Sequence, residues 1–277
     1  MNRRLLAVVA VLVMVGLSGC TTLFGGGAAS PESLSEDAKY EFDTGQDGYI
    51  VLNEDNYTAV YDVSKTDDET IELYRTDSLT FEQPLDVRAL QFRYANGSAY
   101  PDGTRVRYVD GNATRVYPNG TSERTDVLAV NATRKRTQVA LPADDGHLAF
   151  TAPKDGKEVA VRPPVNGSFE VALPPDTGAS LPLLSEVRPD NDDRQVVGDR
   201  VHLTWEELDT SVLVVRWYLD RDLWLFGGMA AIAVLVGLAG TAYYYRQVQQ
   251  AKKRRQSEGL DVDIGDDDGR DPPPGMG

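Results

Sequence analysis

Residues 211–245 read SVLVVRWYLDRDLWLFGGMAAIAVLVGLAGTAYYY, and the change of pattern inside this stretch decides the fold. Seven of the first nine residues are aliphatic, β-branched or aromatic, the composition of a strand. After the charged break at 220–222, the 23 residues 223–245 carry no charge. That is enough for a tilted helix to cross a hydrocarbon core of about 30 Å. The stretch therefore predicts a β region joined almost directly to one membrane-spanning helix, with Trp217 and Tyr218 just above the headgroups.

The flanks of this run predict its direction. Trp224 stands near one end and Tyr243, Tyr244 and Tyr245 at the other, where amphipathic rings favour the headgroup level. Arg246, Lys252, Lys253, Arg254 and Arg255 follow, whereas the preceding flank is acidic on balance. Lys and Arg collect on the cytoplasmic side, so the C-terminus is expected in the cytoplasm and residues 20–222 outside. Ala233, Gly237 and Thr241 recur every fourth residue, giving one narrow helix face that another helix can approach.

At the other end Arg3 and Arg4 precede an apolar run at 5–17, then Ser18, Gly19 and Cys20, the only cysteine. Thirteen residues at about 1.5 Å each fall short of a membrane, so the run reads as the core of an export signal. Small residues before Cys20 form a lipobox: cleavage before Cys20, then lipid on its sulfur, with a mature chain beginning there. The alternative is an uncleaved signal anchor with an idle thiol. A single cysteine excludes a disulfide within the chain.

Between the anchors the pattern is β. GYIVLN, NYTAVYDV, ETIELYR, VRALQFRY, TRVRYV, RTQVAL, HLAFTA, EVAVRP, SFEVAL, RVHLTW and SVLVVRWYL recur at short intervals between Gly, Pro, Asn and Asp clusters. This predicts a mainly β, antiparallel, sandwich-like outer region of one or two modules. Two short helices are expected, in SPESLSEDA with Ser30 as N-cap before Pro31, and in TSERTDVLAV. The expected organisation is a signal at 1–19, a lipid-linked linker with a short helix at 20–38, a β domain at 39–162 and a membrane-proximal β module at 163–222. The helix at 223–245 and a basic, then acidic, disordered tail at 246–277 complete it.

Of eight Asn between Cys20 and Asp220, six begin N-x-S/T: Asn56, Asn96, Asn112, Asn119, Asn131 and Asn166. Ser and Thr are about one residue in seven there, so chance placement gives roughly one match to this glycan-acceptor motif. The excess predicts a glycosylated outer face, with Asn119 in YPNGT the favoured site. Asn-Gly and Asn-Ala also suit turns, which accounts for part of it.

Asp and Glu number 43 against 28 Lys and Arg, a formal net charge of -15, and only seven of the cations are Lys. Such a surface repels a phosphate backbone and excludes nucleic acid as a partner. It suits high salt, where screening suppresses carboxylate repulsion. Arg134, Lys135 and Arg136 read as one basic face of a strand.

LSGC, ALQFRYANGS, DRVHLTWEE, VRWYLDRDLWLFGG and GLDVDIGDDDGRDPPPGMG together resemble an uncharacterised family of haloarchaeal membrane lipoproteins, a domain of unknown function. The resemblance implies location and lineage and transfers no functional residue.

Catalytic patterns are mostly absent: no G-x-S-x-G turn occurs, although spacing alone leaves a Ser-His-Asp arrangement open. His147 and His202, the only histidines, are expected on surface strands, and without cysteine beside them they build no zinc site. Asp190, Asn191, Asp192 and Asp193 lack the ligand spacing of a calcium loop and read as a solvated turn. No cofactor is expected. The expected partners are membrane lipid and an envelope or membrane protein. The expected function is non-enzymatic, a surface β module that binds or spaces envelope partners; the alternative is an extracytoplasmic sensor or accessory subunit.

Overall fold

The computed structural model describes residues 29–76 and 82–257. The export signal, Cys20, the linker up to residue 28 and the tail from residue 258 lie outside the described residues. In chain order one helical turn, α1 (Pro31–Leu34), precedes β1 (Gly48–Leu52), β2 (Asn56–Asp62), β3 (Thr70–Thr76), β4 (Glu82–Pro84), β5 (Arg88–Tyr94), β6 (Arg105–Val109), β7 (Asn112–Val116), β8 (Ser122–Arg124), β9 (Val130–Ala132) and β10 (Thr137–Ala140). Then come β11 (Gly146–Pro153), β12 (Glu158–Val161), β13 (Gly167–Ala172), β14 (Thr177–Gly178), β15 (Glu186–Arg188), β16 (Asp193–Val197), β17 (Arg200–Leu208), β18 (Leu213–Arg216), β19 (Tyr218–Leu219) and helix α2 (Asp220–Ser257). The chain divides into a β unit ending at Asp220 and a second unit from Arg221.

Ten strands make the main sheet, in the order β16-β17-β13-β1-β2-β11-β5-β6-β7-β8. All its pairs are antiparallel except β1 with β13. Strands from either side of residue 162 thus share one sheet. Alternation sets its two faces. On the inner face Ile50, Leu52, Tyr57, Ala59, Tyr61, Leu148, Phe150, Phe169 and Val171 are buried. Smaller sheets, β4-β3-β10-β9 and β12-β18-β15, add Ile71, Leu73, Val139, Val159, Val161, Leu213 and Val215 to the same core. Tyr61 packs 6.0 Å from Phe150 and 6.2 Å from Phe169, centroid to centroid. Gly48 admits this packing, since a Cβ there would stand 2.2 Å from the Phe169 ring.

Turn chemistry fixes the hairpins. Between β6 and β7, Asp110 (φ 49) and Gly111 (φ 76) both take the left-handed region, as a two-residue hairpin turn of this type requires. Ser30 caps α1 by accepting from Ser33 N at 3.1 Å, the expected helix start.

Two expectations are corrected. TSERTDVLAV forms no helix: residues 122–124 are β8, and the β-branched and turn-forming residues after it continue as bends into β9. Arg134, Lys135 and Arg136 occupy the tight β9–β10 turn, not a strand face; Thr133 Oγ1 closes that turn on Arg136 O at 2.9 Å. Trp217 and Tyr218 are both buried in the β unit. Lys154 Nζ lies 4.8 Å from the Trp217 ring and donates to the Glu54 and Gly156 carbonyls at 2.5 and 2.9 Å.

In the second unit, α2 has 38 residues, none buried, and its most apolar window reaches a mean hydropathy of 2.1. It is long and apolar enough to cross a membrane. Three of its polar side chains bond within the helix. Thr241 Oγ1 donates to Gly237 O at 2.9 Å, and Gln247 and Gln249 donate to the Tyr243 and Tyr245 hydroxyls at 2.8 and 2.9 Å.

Candidate functional site

The outer face of the main sheet carries a row of polar and titratable groups. Strand alternation brings Gln91 and Arg93 from β5, His147 and Thr151 from β11, Arg107 from β6, Glu170 from β13 and His202 from β17 to this side. Across it runs an extended strap, residues 36–44.

The strap is fastened by one contact after another. Arg107 Nη1 donates to Asp37 at 2.8 Å, and the buried Gln91 amide donates to Ala38 O at 3.0 Å. The Tyr40 hydroxyl donates to Ala89 O at 2.8 Å and meets Thr151 Oγ1 at 2.9 Å. Phe42 lies edge-on to His147 at 6.4 Å, under the Arg93 guanidinium at 4.8 Å. Arg93 then holds both carboxylate oxygens of Asp43, at 2.7 and 3.0 Å.

The Tyr40 anchorage rests on an irregularity in the sheet. Ala149 pairs with Gln91 and Thr151 with Arg88, so Ala89 and Leu90 oppose the single residue Phe150. Ala89 takes φ 49 at this irregularity, and its carbonyl accepts from the Tyr40 hydroxyl. A buried carbonyl without a donor is costly, and the Tyr40 hydroxyl supplies one.

Electrostatics follow from burial and partners. Burial pushes the Tyr40 phenol well above its ordinary range. The hydrogen bond and charge of Arg93 hold Asp43 below the usual carboxylate value. His147 is held below its ordinary value by burial and then by Arg93, against the pull of Asp62, Asp43 and Asp145. Its Nδ1 is buried without a partner, as is Arg107 Nε.

Both histidines are on strands as expected, yet both are half-buried rather than surface residues. His202 Nδ1 meets Glu170 Oε1 at 2.5 Å, with Tyr49 in the same electrostatic neighbourhood. The two histidines lie on strands separated by β13, β1 and β2 and form no joint site. In the 190–193 run, Asp192 accepts from Glu206 N at 2.8 Å and Asp193 from Gln195 at 2.7 Å. Asp192 and Asp193 thus each have a donor, and no group of three potential metal ligands occurs among the described residues.

None of the six acceptor asparagines is buried: Asn96, Asn119, Asn131 and Asn166 are exposed, and Asn56 and Asn112 half-buried. Asn119 accepts from Thr121 N and Oγ1 at 2.9 and 2.7 Å, a turn that uses its side-chain carbonyl and not its amide nitrogen. In the Asn166 motif the Ser168 hydroxyl is engaged with Asp47 at 3.0 Å.

The strap was not foreseen from the sequence. Its signal was Tyr40 and Phe42 two residues apart between charged neighbours, the alternation of an extended segment with one apolar side.

No curated protein matches the chain. The model of a family described as "Family of unknown function (DUF5803)" matches residues 44–116 and 109–263, beginning where the strap ends and extending through α2. With well over half of its 277 residues matched, the chain belongs to this family of unknown function, DUF5803.

Proposed function

We propose that the protein acts without catalysis, as a haloarchaeal cell-surface lipoprotein whose β unit is fastened to the membrane on both sides and binds or spaces envelope partners. The observation that carries this reading is the strap. Polar groups of β5, β6 and β11 on the outer face hold the segment that leads toward Cys20, while the last strand of the unit runs straight into α2. In this reading Cys20 carries lipid, α2 spans with its basic end in the cytoplasm, and several acceptor asparagines bear glycans. The acidic, Lys-poor composition supports a high-salt exterior. A spanning helix already ensures retention, so the lipid serves to hold the strap side of the unit close to the bilayer.

The test is crosslinking in native membranes with Cys20→Ser in a chain still exported. Retention in the membrane fraction with fewer crosslinks to envelope partners is expected; unchanged crosslinks would remove the orienting role of the lipid. A sensor or accessory subunit is the second reading. It is favoured by the unpaired His147 Nδ1 and Arg107 Nε beside the strap, which make strap release less costly than release of a fully satisfied segment.

A further inference from the structure

Among the described residues of the β unit, the large apolar side chains left exposed are Leu181, Leu183, Val196 and Val197, at 41, 92, 72 and 55 % exposure. Single exposed aliphatics are ordinary on any protein, so their placement decides whether they mean anything. These four are not scattered.

Leu181 and Leu183 belong to one turn, closed where Leu184 N and Ser185 N both donate to Leu181 O at 2.9 Å. Val196 and Val197 sit at the tip of the β16–β17 hairpin, opposite Val201 and Arg200, with Gly198 and Asp199 turning the chain. Both tips are tied to the last strand of the unit. Asp176 N donates to Asp199 O at 3.3 Å, and Asp220 N donates to Asp176 O at 3.1 Å. β14 pairs with β19, and the Ser180 and Tyr218 hydroxyls meet at 2.8 Å. The exposed apolar side chains therefore collect where the chain leaves the β unit.

Only Arg221 and Asp222 separate that point from the uncharged run beginning at Leu223. At about 1.5 Å per helical residue, this spacing is roughly 5 Å. With the run in hydrocarbon, the covalent link alone keeps this end of the unit at headgroup level.

We propose that Leu181, Leu183, Val196 and Val197 insert into the headgroup–acyl boundary of the bilayer that α2 crosses, so that the β unit rests on lipid as well as being tethered to it. The proposal rests on the reading that α2 spans. Charge is mixed at the tips, where Asp176 and Asp199, joined by a backbone hydrogen bond, have Arg200 beside them; the fitting surface is zwitterionic and the contact insensitive to salt. A second copy of the chain is a poorer occupant, since four aliphatic side chains fall far short of the about 800 Å² per partner that a standard interface buries.

The test uses the full chain carrying Cys20→Ser and, one at a time, Leu183→Cys, Val197→Cys and, as a control in a remote turn, Asn119→Cys. Each is labelled with a polarity-sensitive nitrobenzoxadiazole probe and reconstituted in phosphatidylcholine vesicles. Probes at 183 and 197 are expected to emit at shorter wavelength than at 119, and to be quenched by lipids spin-labelled about 5–10 Å below the surface, at any salt concentration. Unshifted, unquenched probes in a protein that resists alkaline extraction would overturn the lipid contact while leaving the spanning helix intact. Extraction by alkali would overturn the spanning reading and this one with it. A shift that grows with protein density and is not quenched by lipid would assign the tips to a second copy and equally overturn the proposal.

Discussion

Tyr40→Phe removes one oxygen and nothing else, and the structure says what that oxygen does. It donates to the Ala89 carbonyl at the sheet irregularity and meets Thr151 Oγ1. Phenylalanine fits the same space but leaves the carbonyl without its donor, a loss of about 1–3 kcal/mol for a buried group. The strap is held by separate side-chain contacts, so the loss falls on strap opening before it falls on unfolding of the sheet. Lys39, exposed beside Tyr40, gives the assay, since trypsin cuts there only when the strap lifts. Where opening is fast relative to cleavage, the rate follows the open population, and 1–3 kcal/mol corresponds to about 5- to 150-fold faster release of a chain beginning at Tyr40. The exposed Arg134–Lys135 turn is an internal reference and should be cut at an unchanged rate. Thr151→Val should release part of the same free energy, and the double variant less than the sum, because the two hydroxyls share one contact. Equal Lys39 rates in the variant and the parent, or equal acceleration at both sites, would refute the strap as a separately opening element.

Gly48→Ala places a methyl 2.2 Å from the buried Phe169 ring, so a loss of about 1–3 kcal/mol, or failure to fold, is expected in urea titration. Lys154→Met takes the donor from the Glu54 and Gly156 carbonyls under Trp217 and should cost about 1–3 kcal/mol by the same measurement. His147 has a folded-state pKa below its unfolded value of about 6.5, so the unfolded chain takes the proton first and stability falls as pH drops from there toward the folded value. Arg93 opposes protonation while Asp43, Asp62 and Asp145 favour it, and His147→Gln should flatten the stability profile in that window; an unaltered slope would discard the assignment. Asn119→Gln should remove one glycan mass from protein isolated from native membranes, and identical masses would show the site unoccupied.

The β elements legible in the sequence are those with a buried face. All eleven apolar or alternating runs contain strands, from GYIVL at β1 to LVVR at β18, because each sets every second side chain against the core. The strands that escaped notice, such as β8 and β16, are exposed along their length, so no hydrophobic period marks them. Their places come from partners: β16 is defined by the Gly198–Asp199 turn that folds it onto β17. The continuity of the sheet across residue 162 was hidden for the same reason, since the β1–β13 pairing joins residues far apart in sequence. The apolar helix was legible by composition alone. The strap was not, because its partners Ala89, Gln91 and Thr151 come together only through the β5–β11 register, and an irregular pairing leaves no trace in residue identities.

The two ends of the β unit are attached by different physics, and this bears on how the protein would respond to load. On the N-terminal side the strap lies on the finished outer face of the sheet, held at Ala38, Tyr40 and Asp43 by individual side chains. These contacts can be lost one by one, each at the cost of about one hydrogen bond or ion pair, with the core still closed. On the C-terminal side the chain passes through β18, paired on both edges by β12 and β15, and then through Trp217 and Tyr218, both buried. Freeing that end requires opening the core, which includes Val215 and Trp217. Displacement of the N-terminal side is thus absorbed by the strap, while the end leading to α2 keeps its place until the whole unit unfolds. A surface module fixed permanently at one end and releasably at the other can follow its neighbours without losing its fold, as the binding-or-spacing reading requires.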